Sequence, residues 1–178
     1  SYTDTGYAAF KTAQASRTPV VYAGANDGML HAFNAATGSE LWAFIPTAVL
    51  PNLYKLADSS YATRHTYFVD GAPVVGDVYD SATSSWKTIL VGGLNAGGKA
   101  YYALDITNPT SPLLLWEFTD SNLGLTFGNP MIVKRNNGTW VVVFASGYNN
   151  TAGDGQGHLY VVNAITGVKE KRISGTTN

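Results

Sequence analysis

Three histidines are the first residues to weigh for chemistry. His31 stands where tyrosines, Tyr102 and Tyr160, stand in two parallel segments, which marks a packing position. His158 follows Gly157 at a tight turn and is expected to be exposed. His65 lies in Arg64-His65-Thr66-Tyr67. No pair of them has metal-ligand spacing. No Gly-x-Ser-x-Gly elbow supports a nucleophilic serine. Asp27, Asp70, Asp77, Asp80, Asp105, Asp120 and Asp154 are scattered, mostly at turns, where a short carboxylate caps backbone N–H groups. Gly92-Gly93 through Gly97-Gly98 lacks the lysine-and-hydroxyl ending of a phosphate loop and reads as a hairpin. Asn149 to Gly155 offers oxygen donors but not the alternating acids of a calcium loop, and Asn26-Asp27-Gly28 is a turn before it is a site. No catalytic and no cofactor-binding residue is therefore assigned, and no metal ligand can be named.

The elements that carry these residues recur. Val20 to Gly24, Leu30 to Asn34 and Leu41 to Phe44 parallel Thr88 to Gly93, Tyr101 to Asp105 and Leu115 to Phe118. A third set follows: Val141 to Gly147, Leu159 to Asn163 and Glu170 to Ile173. The latter two sets are preceded by Gly71-Ala72-Pro73-Val74-Val75 and Gly128-Asn129-Pro130-Met131-Ile132, then by Trp86 or Trp140. Each tryptophan stands the same distance before Gly93 or Gly147, so the two read as equivalent. Val, Ile, Tyr and Trp fill the runs; Gly, Asn, Asp and Pro fill the breaks. Asn34, Asp105 and Asn163 open turns that Gly38 and Gly167 close at positive φ. Trp42 and Trp116 recur in the last run of their units, where docking between units explains them.

Four strands per unit with a glycine and aromatic signature predict a β-propeller blade. The fold class is all-β: a partial propeller of four-stranded antiparallel blades with quinoprotein-like repeats, one short N-terminal helix and one inter-blade insertion. Residues 1–18 are a helical lead-in, with Tyr7, Phe10 and Ala13 at helical spacing in Tyr7 to Arg17. Residues 19–44 make an incomplete blade lacking its first strand, 45–70 an insertion, and 71–118 and 128–173 full blades. Within 46–67 a short helix is expected, interrupted or initiated at Pro51. A closed ring needs more blades than this, so 1–178 reads as a single propeller fragment, completed by the rest of its own propeller or by other chains.

Composition sets further bounds. Of 178 residues 45% are hydrophobic, too many for a disordered tail, and only 13% are charged. A net charge of -1 offers no basic excess for nucleic acid. Zero cysteine excludes disulfides and thiolate sites. No apolar run reaches the length of a membrane span, and Ser1-Tyr2-Thr3-Asp4 lacks signal-peptide character. The chain is expected to be mature, trimmed or excised from something longer.

The string Val21-Tyr22-Ala23-Gly24-Ala25-Asn26-Asp27-Gly28-Met29-Leu30-His31-Ala32-Phe33 resembles the first blade of the PilY family, associated with the tips of bacterial type IV pili. Tyr67 to Pro73, Ile89 to Gly93 with Gly97-Gly98-Lys99, and Gly124 to Pro130 extend the likeness from about Tyr7 to about Arg172. The resemblance implies a non-catalytic adhesin and biogenesis module supporting pilus assembly, extension and surface adhesion. Its implied partners are minor pilins, the tip complex and a host or abiotic surface, at the bacterial cell surface after export through periplasm and outer membrane. Family calcium is implied in a later blade, not here. Two alternatives stand beside it: a fragment of a quinoprotein dehydrogenase, an enzyme, and a scaffold propeller of outer-membrane assembly.

Overall fold

The computed structural model describes residues 4–175. Strands β1 (Val20–Gly24), β2 (Leu30–Asn34) and β3 (Glu40–Phe44) form a three-stranded sheet in that order. Strands β4 (Val74–Asp80), β5 (Ser85–Gly93), β6 (Tyr101–Asp105) and β7 (Leu113–Phe118) form a second, four-stranded sheet. The third contains β8 (Met131–Lys134), β9 (Trp140–Ala145), β10 (His158–Asn163) and β11 (Lys169–Ser174). All neighbours pair antiparallel and in chain order. This is the expected partial propeller: one blade of three strands and two of four.

Turn chemistry fixes each blade. Asn34 Oδ1 accepts from the N–H groups of Ala36 and Thr37, Asp105 Oδ1 from Thr107, and Asn163 Oδ1 from Ile165 and Thr166. Two residues before each of these side chains the register slips, at Ala32/Phe33, Ala103/Leu104 and Val161/Val162. The extra residue lies on the last strand of each blade and re-aims the side chain that follows it. In the first two blades that side chain is tryptophan. Trp42 Nε1 donates to the Pro109 carbonyl of the second blade at 2.8 Å, and Trp116 Nε1 to the Ala164 carbonyl of the third at 3.0 Å. Trp116 also covers Gly167, where φ is +68° and a Cβ would lie 2.5 Å from its ring. Trp42 and Trp116 thus dock blade onto blade.

Alternation then divides the core between two seams. Leu90, Tyr102 and Leu104 meet Leu30 and Phe68 on the side of the first blade. Ile89, Val91, Tyr101 and Trp116 meet Val142, Phe144 and Tyr160 on the side of the third. The middle blade is covered on both faces, so β6 is buried at every position and β5 is buried continuously from Thr88 to Gly93. The first blade has one open face: Val21 is 54% exposed, whereas Leu90, at the same register, is fully buried.

Three expectations are corrected. Helix α1 (Tyr7–Ala13) stops four residues short of Arg17, because Arg17 turns to donate from Nη1 to Thr88 Oγ1 at 2.8 Å. The insertion forms two 3-10 helices, Thr47–Ala57 and Tyr61–Thr63, and Pro51 neither starts nor breaks the first. Trp86 and Trp140 are not equivalent: Trp86 stands three residues before Ile89 and Trp140 one before Val141, yet Ile89 and Val141 hold the same register. The longer β4–β5 hairpin moves Trp86 out by one full alternation, which keeps it on the same face. The rings meet edge to face at 5.8 Å. Residues 4–17 run across both as a strap. Trp86 Nε1 donates to the Thr5 carbonyl, Trp140 Nε1 to Asp4 Oδ2, and the Tyr7 ring packs tilted against Trp86 at 4.4 Å.

Gly167→Ala and Gly38→Ala separate docking from backbone cost. Both glycines have positive φ, but nothing lies within 4 Å of a Cβ at Gly38. Gly38→Ala is expected to cost about 1–2 kcal/mol for the left-handed backbone alone. Gly167→Ala should cost a further 1–3 kcal/mol, roughly, by displacing Trp116. Urea unfolding of the two variants measures the difference.

Candidate functional site

Antiparallel order places the tight turns after β2, β4, β6, β8 and β10 at one end of the blades, with α1. The other end carries loops 25–29, 94–100 and 146–157 and both inter-blade connectors, 45–73 and 119–130. Most irregular chain gathers at this loop end, and binding residues on a rigid scaffold concentrate in such segments.

The connectors clamp the loops in a line. Asn26 Oδ1 accepts from the Phe68 N–H at 3.0 Å, and Val69 N–H donates to the Ala25 carbonyl at 3.3 Å. Asn95 Nδ2 donates to the Asp70 carbonyl, and Thr126 Oγ1 accepts from the N–H groups of Leu94 and Asn95. Leu125 and Tyr148 exchange backbone bonds of 2.6 and 2.8 Å. The glycines of the loops let connector carbonyls in: a Cβ at Gly97 would lie 1.6 Å from the Phe68 oxygen, and one at Gly24 2.6 Å from that of Val69. The Gly92–Gly98 hairpin holds a connector and no phosphate cradle. Gly28, with φ +99°, leaves the space that Leu53 of the insertion fills. Asn26-Asp27-Gly28 is accordingly the socket of the insertion.

His31 holds the register of Tyr102 and Tyr160. Tyr102 and Tyr160 are buried at 1% and 0%, but the His31 ring lies between two carboxylates. Its Nε2 is 2.9 Å from Asp27 Oδ2 and its Nδ1 2.7 Å from Glu40 Oε1. Carboxylates only accept, so both bonds form only when the ring carries two protons. The Glu40 hydrogen bond raises the imidazole pKa above 6.5; burial lowers it, and Asp27 adds to the rise. This clamp joins the β2–β3 hairpin to the Asn26-Asp27-Gly28 socket.

His158 is not exposed, as its place beside Gly157 implied; its side chain is 1% exposed. It opens β10, where Ser146 Oγ accepts its N–H, and the ring is enclosed between Asp154 and Ser174. Ser174, His158 and Asp154 follow the order of a proton relay, with contacts of 3.1 and 2.8 Å. The nearby Gly175 N–H is spent on the Gly157 carbonyl. The trio is a strut that ties loop 146–157 to β11. His65 stands apart, between the rings of Tyr61 and Tyr67 at 5.6 and 5.0 Å.

The aspartates have structural duties. Asp120 accepts from Tyr160 Oη, the Asn122 N–H and Lys169 Nζ at 3.0, 3.0 and 2.6 Å. Burial raises its carboxyl pKa, but Lys169, the Asn122 N–H and Tyr160 outweigh it and hold it at about 2. Asp77 accepts from Tyr7 and Thr88, Asp105 from Lys87 and Thr107, and Asp80 from the Ala82 N–H. In the Asn149–Gly155 loop, Asn150 Nδ2 donates to the carbonyls of Asn122 and Gln156, and the Asp154 N–H to Asn122 Oδ1. Asn122 thus ties this loop to turn 120–122, and Asp154 turns its carboxylate to His158. Among the described residues no group of three or more His, Asp or Glu is placed to hold a metal ion.

What the loop end offers outward is aromatic. Tyr54 is 70% and Tyr148 69% exposed; Tyr148 meets the exposed Phe127 edge to face, and Tyr67 is half exposed. Sequence reasoning named the insertion but missed these rings. Their signal was aromatics outside the two-residue alternation of the strands.

A family model of the PilY1 β-propeller domain matches residues 2–176. A PilY1 homolog of Xylella fastidiosa, described as a type IV pilus biogenesis factor, is 46% identical over 176 residues, 97% of this chain and 14% of the homolog. The type IV pilus biogenesis factor PilY1 of Pseudomonas aeruginosa is 49% identical over 148 residues, 81% of this chain and 13% of that protein. The crystal structure of the Pseudomonas aeruginosa PilY1 C-terminal domain superposes with a TM-score of 0.80 at 37% identity. It covers 97% of this chain, which spans 33% of that domain. The chain therefore spans about a seventh of its full-length relatives.

The His31 clamp has a pH signature. Its stabilisation is complete below the unfolded pKa of about 6.5 and is lost as pH rises through the higher folded value. An NMR titration should place the His31 imidazole above 6.5, with Glu40→Gln lowering it. An unshifted His31 would contradict the two-carboxylate geometry.

Proposed function

The chain belongs to the PilY1 β-propeller family, and from that premise we propose that it is a non-catalytic docking module of type IV pilus biogenesis. Its site of action is the cell surface at the pilus tip, its partners are minor pilins of the tip complex, and its surface supports pilus extension and adhesion to host or abiotic surfaces. Calcium, on this reading, acts through a blade outside residues 1–178.

The observation that carries the proposal is the build of the loop end. Asn26, Asn95 and Thr126 hold loops and connectors together, while Tyr54, Tyr67, Phe127 and Tyr148 are exposed around them. Exposed aromatic rings on a fixed base supply contact area with little ordering cost. That arrangement suits a protein surface better than a small molecule to be turned over. The relatives, named for pilus biogenesis, supply the partner class.

Retention of minor pilins on the immobilised protein tests this. The unmodified protein should retain them, and Tyr54→Ala combined with Tyr67→Ala should lower retention about 10-fold with the melting temperature unchanged. No retention, or dye reduction on reconstitution with a quinone cofactor and calcium, would overturn it.

A further inference from the structure

The insertion holds more chain than joining two blades requires. Residues 119–130 carry the chain from β7 to β8, whereas 45–73 make the same step from β3 to β4 with more than twice as many residues. Part of the extra chain is spent on packing. Leu53 fills the space over Gly28, Val49 is buried, and Leu56 and Tyr61 lie against the cluster of Leu30 and Phe68. Tyr61 Oη donates to the Thr66 carbonyl at 3.3 Å, which closes residues 61–66 on themselves. What remains encloses a pocket of about 310 Å³, and every residue that lines it comes from 54–66.

The polar groups of this pocket are of two kinds. The side chains of Lys55 and Arg64 form no hydrogen bond or ion pair among the described residues, although Asp58 lines the same pocket and Lys55 is half-buried. The hydroxyl groups, by contrast, are committed as donors. Ser60 Oγ donates to Asp58 Oδ1 at 2.7 Å and Thr66 Oγ1 to the Arg64 carbonyl at 3.4 Å, so each oxygen keeps lone pairs that can only accept. Asp58 Oδ1 takes both bonds from Ser60, and Oδ2 accepts from no described residue. Beside these groups the Tyr54 ring is 70% exposed. Acetate or phosphate would meet the two cations but offers no apolar face and no row of donors. A sugar ring that carries a carboxylate meets all three demands: its charge suits the cations, its hydroxyls suit the acceptors, and its C–H face suits the tyrosine. Small-ligand pockets span roughly 300–1,000 Å³, and this one stands at the lower end, as a single ring requires.

We propose that residues 54–66 form a binding site for a carboxylated sugar, a uronic or sialic acid residue. Lys55 and Arg64 hold its carboxylate, Asp58 Oδ2 and the oxygens of Ser60 and Thr66 accept from its hydroxyls, and Tyr54 packs on its ring. The packing of Leu53, Leu56 and Tyr61 holds the site in shape before the ligand arrives. The inference rests on the build of the insertion and stands apart from the pilus reading.

Glucuronate and N-acetylneuraminate, titrated at neutral pH into the 178-residue chain and followed by amide NMR, test the site. At least one of them should shift the amides of residues 54–66 in a saturable manner while those of β9 and β10 stay in place. Glucose should bind at least about 10-fold more weakly, because it leaves both cations without a partner. Lys55→Gln and Arg64→Gln should each weaken the acidic sugar about 10-fold with the melting temperature unchanged. No saturable shift with either acidic sugar would overturn the proposal, as would glucose binding equally well. Acetate or inorganic phosphate binding as tightly would make this a general anion site, and an acidic peptide binding more tightly would make it a protein contact; either outcome also overturns it.

Discussion

The structure depends on one repeated contact, a tryptophan indole laid on the third-strand turn of the next blade. A blade buries apolar side chains on both faces, and an isolated four-stranded sheet cannot cover either. Trp42 and Trp116 fix the spacing by which each blade covers its neighbour, donating to Pro109 and Ala164 across the seams. The bulge just before each tryptophan sets its direction, and the side-chain cap on each turn holds the accepting carbonyl in place. In the third blade Lys171 stands where the tryptophan would be, and it is exposed. The N-terminal strap adds a second tie, holding Trp86 and Trp140 at the turn end.

Much of this was legible because repetition turns weak local signals into strong ones. The strands, the turn caps at Asn34, Asp105 and Asn163, the positive-φ glycines and the docking tryptophans all occupy recurring places. What escaped were features that occur once. The equal spacing of Trp86 to Gly93 and Trp140 to Gly147 looked like equivalence. It is two different hairpins, because a shift of two residues leaves alternation intact. The insertion's apolar residues gave a helix but not its type, and Pro51 lost its force as a breaker in a 3-10 run. Residue type also misjudged one histidine: His158 is buried because Asp154 and Ser174, distant in character from any motif, enclose its ring. His31 keeps the tyrosine register, but Asp27 and Glu40 flank its ring.

The division of labour between the two ends of the blades links fold to function. At the turn end, short hairpins and the strap leave little irregular chain. At the loop end, backbone bonds between connectors and loops make one continuous ledge across three blades, on which the insertion presents its aromatic rings. Glycines allow the ledge to be close-packed, since connector carbonyls occupy the space where side chains would begin. The polar groups are spent on holding this ledge, so it is rigid before any partner arrives. Rigid aromatic surfaces of that kind bind with little ordering cost.

The most direct test of this account is site-specific photocrosslinking on pilus-bearing cells, with the crosslinking residue at Tyr54 on the loop end or at Thr37 on the turn end. The account predicts adducts with minor pilins from position 54 and none from position 37. Equal adducts from both ends, or none from position 54, would contradict it.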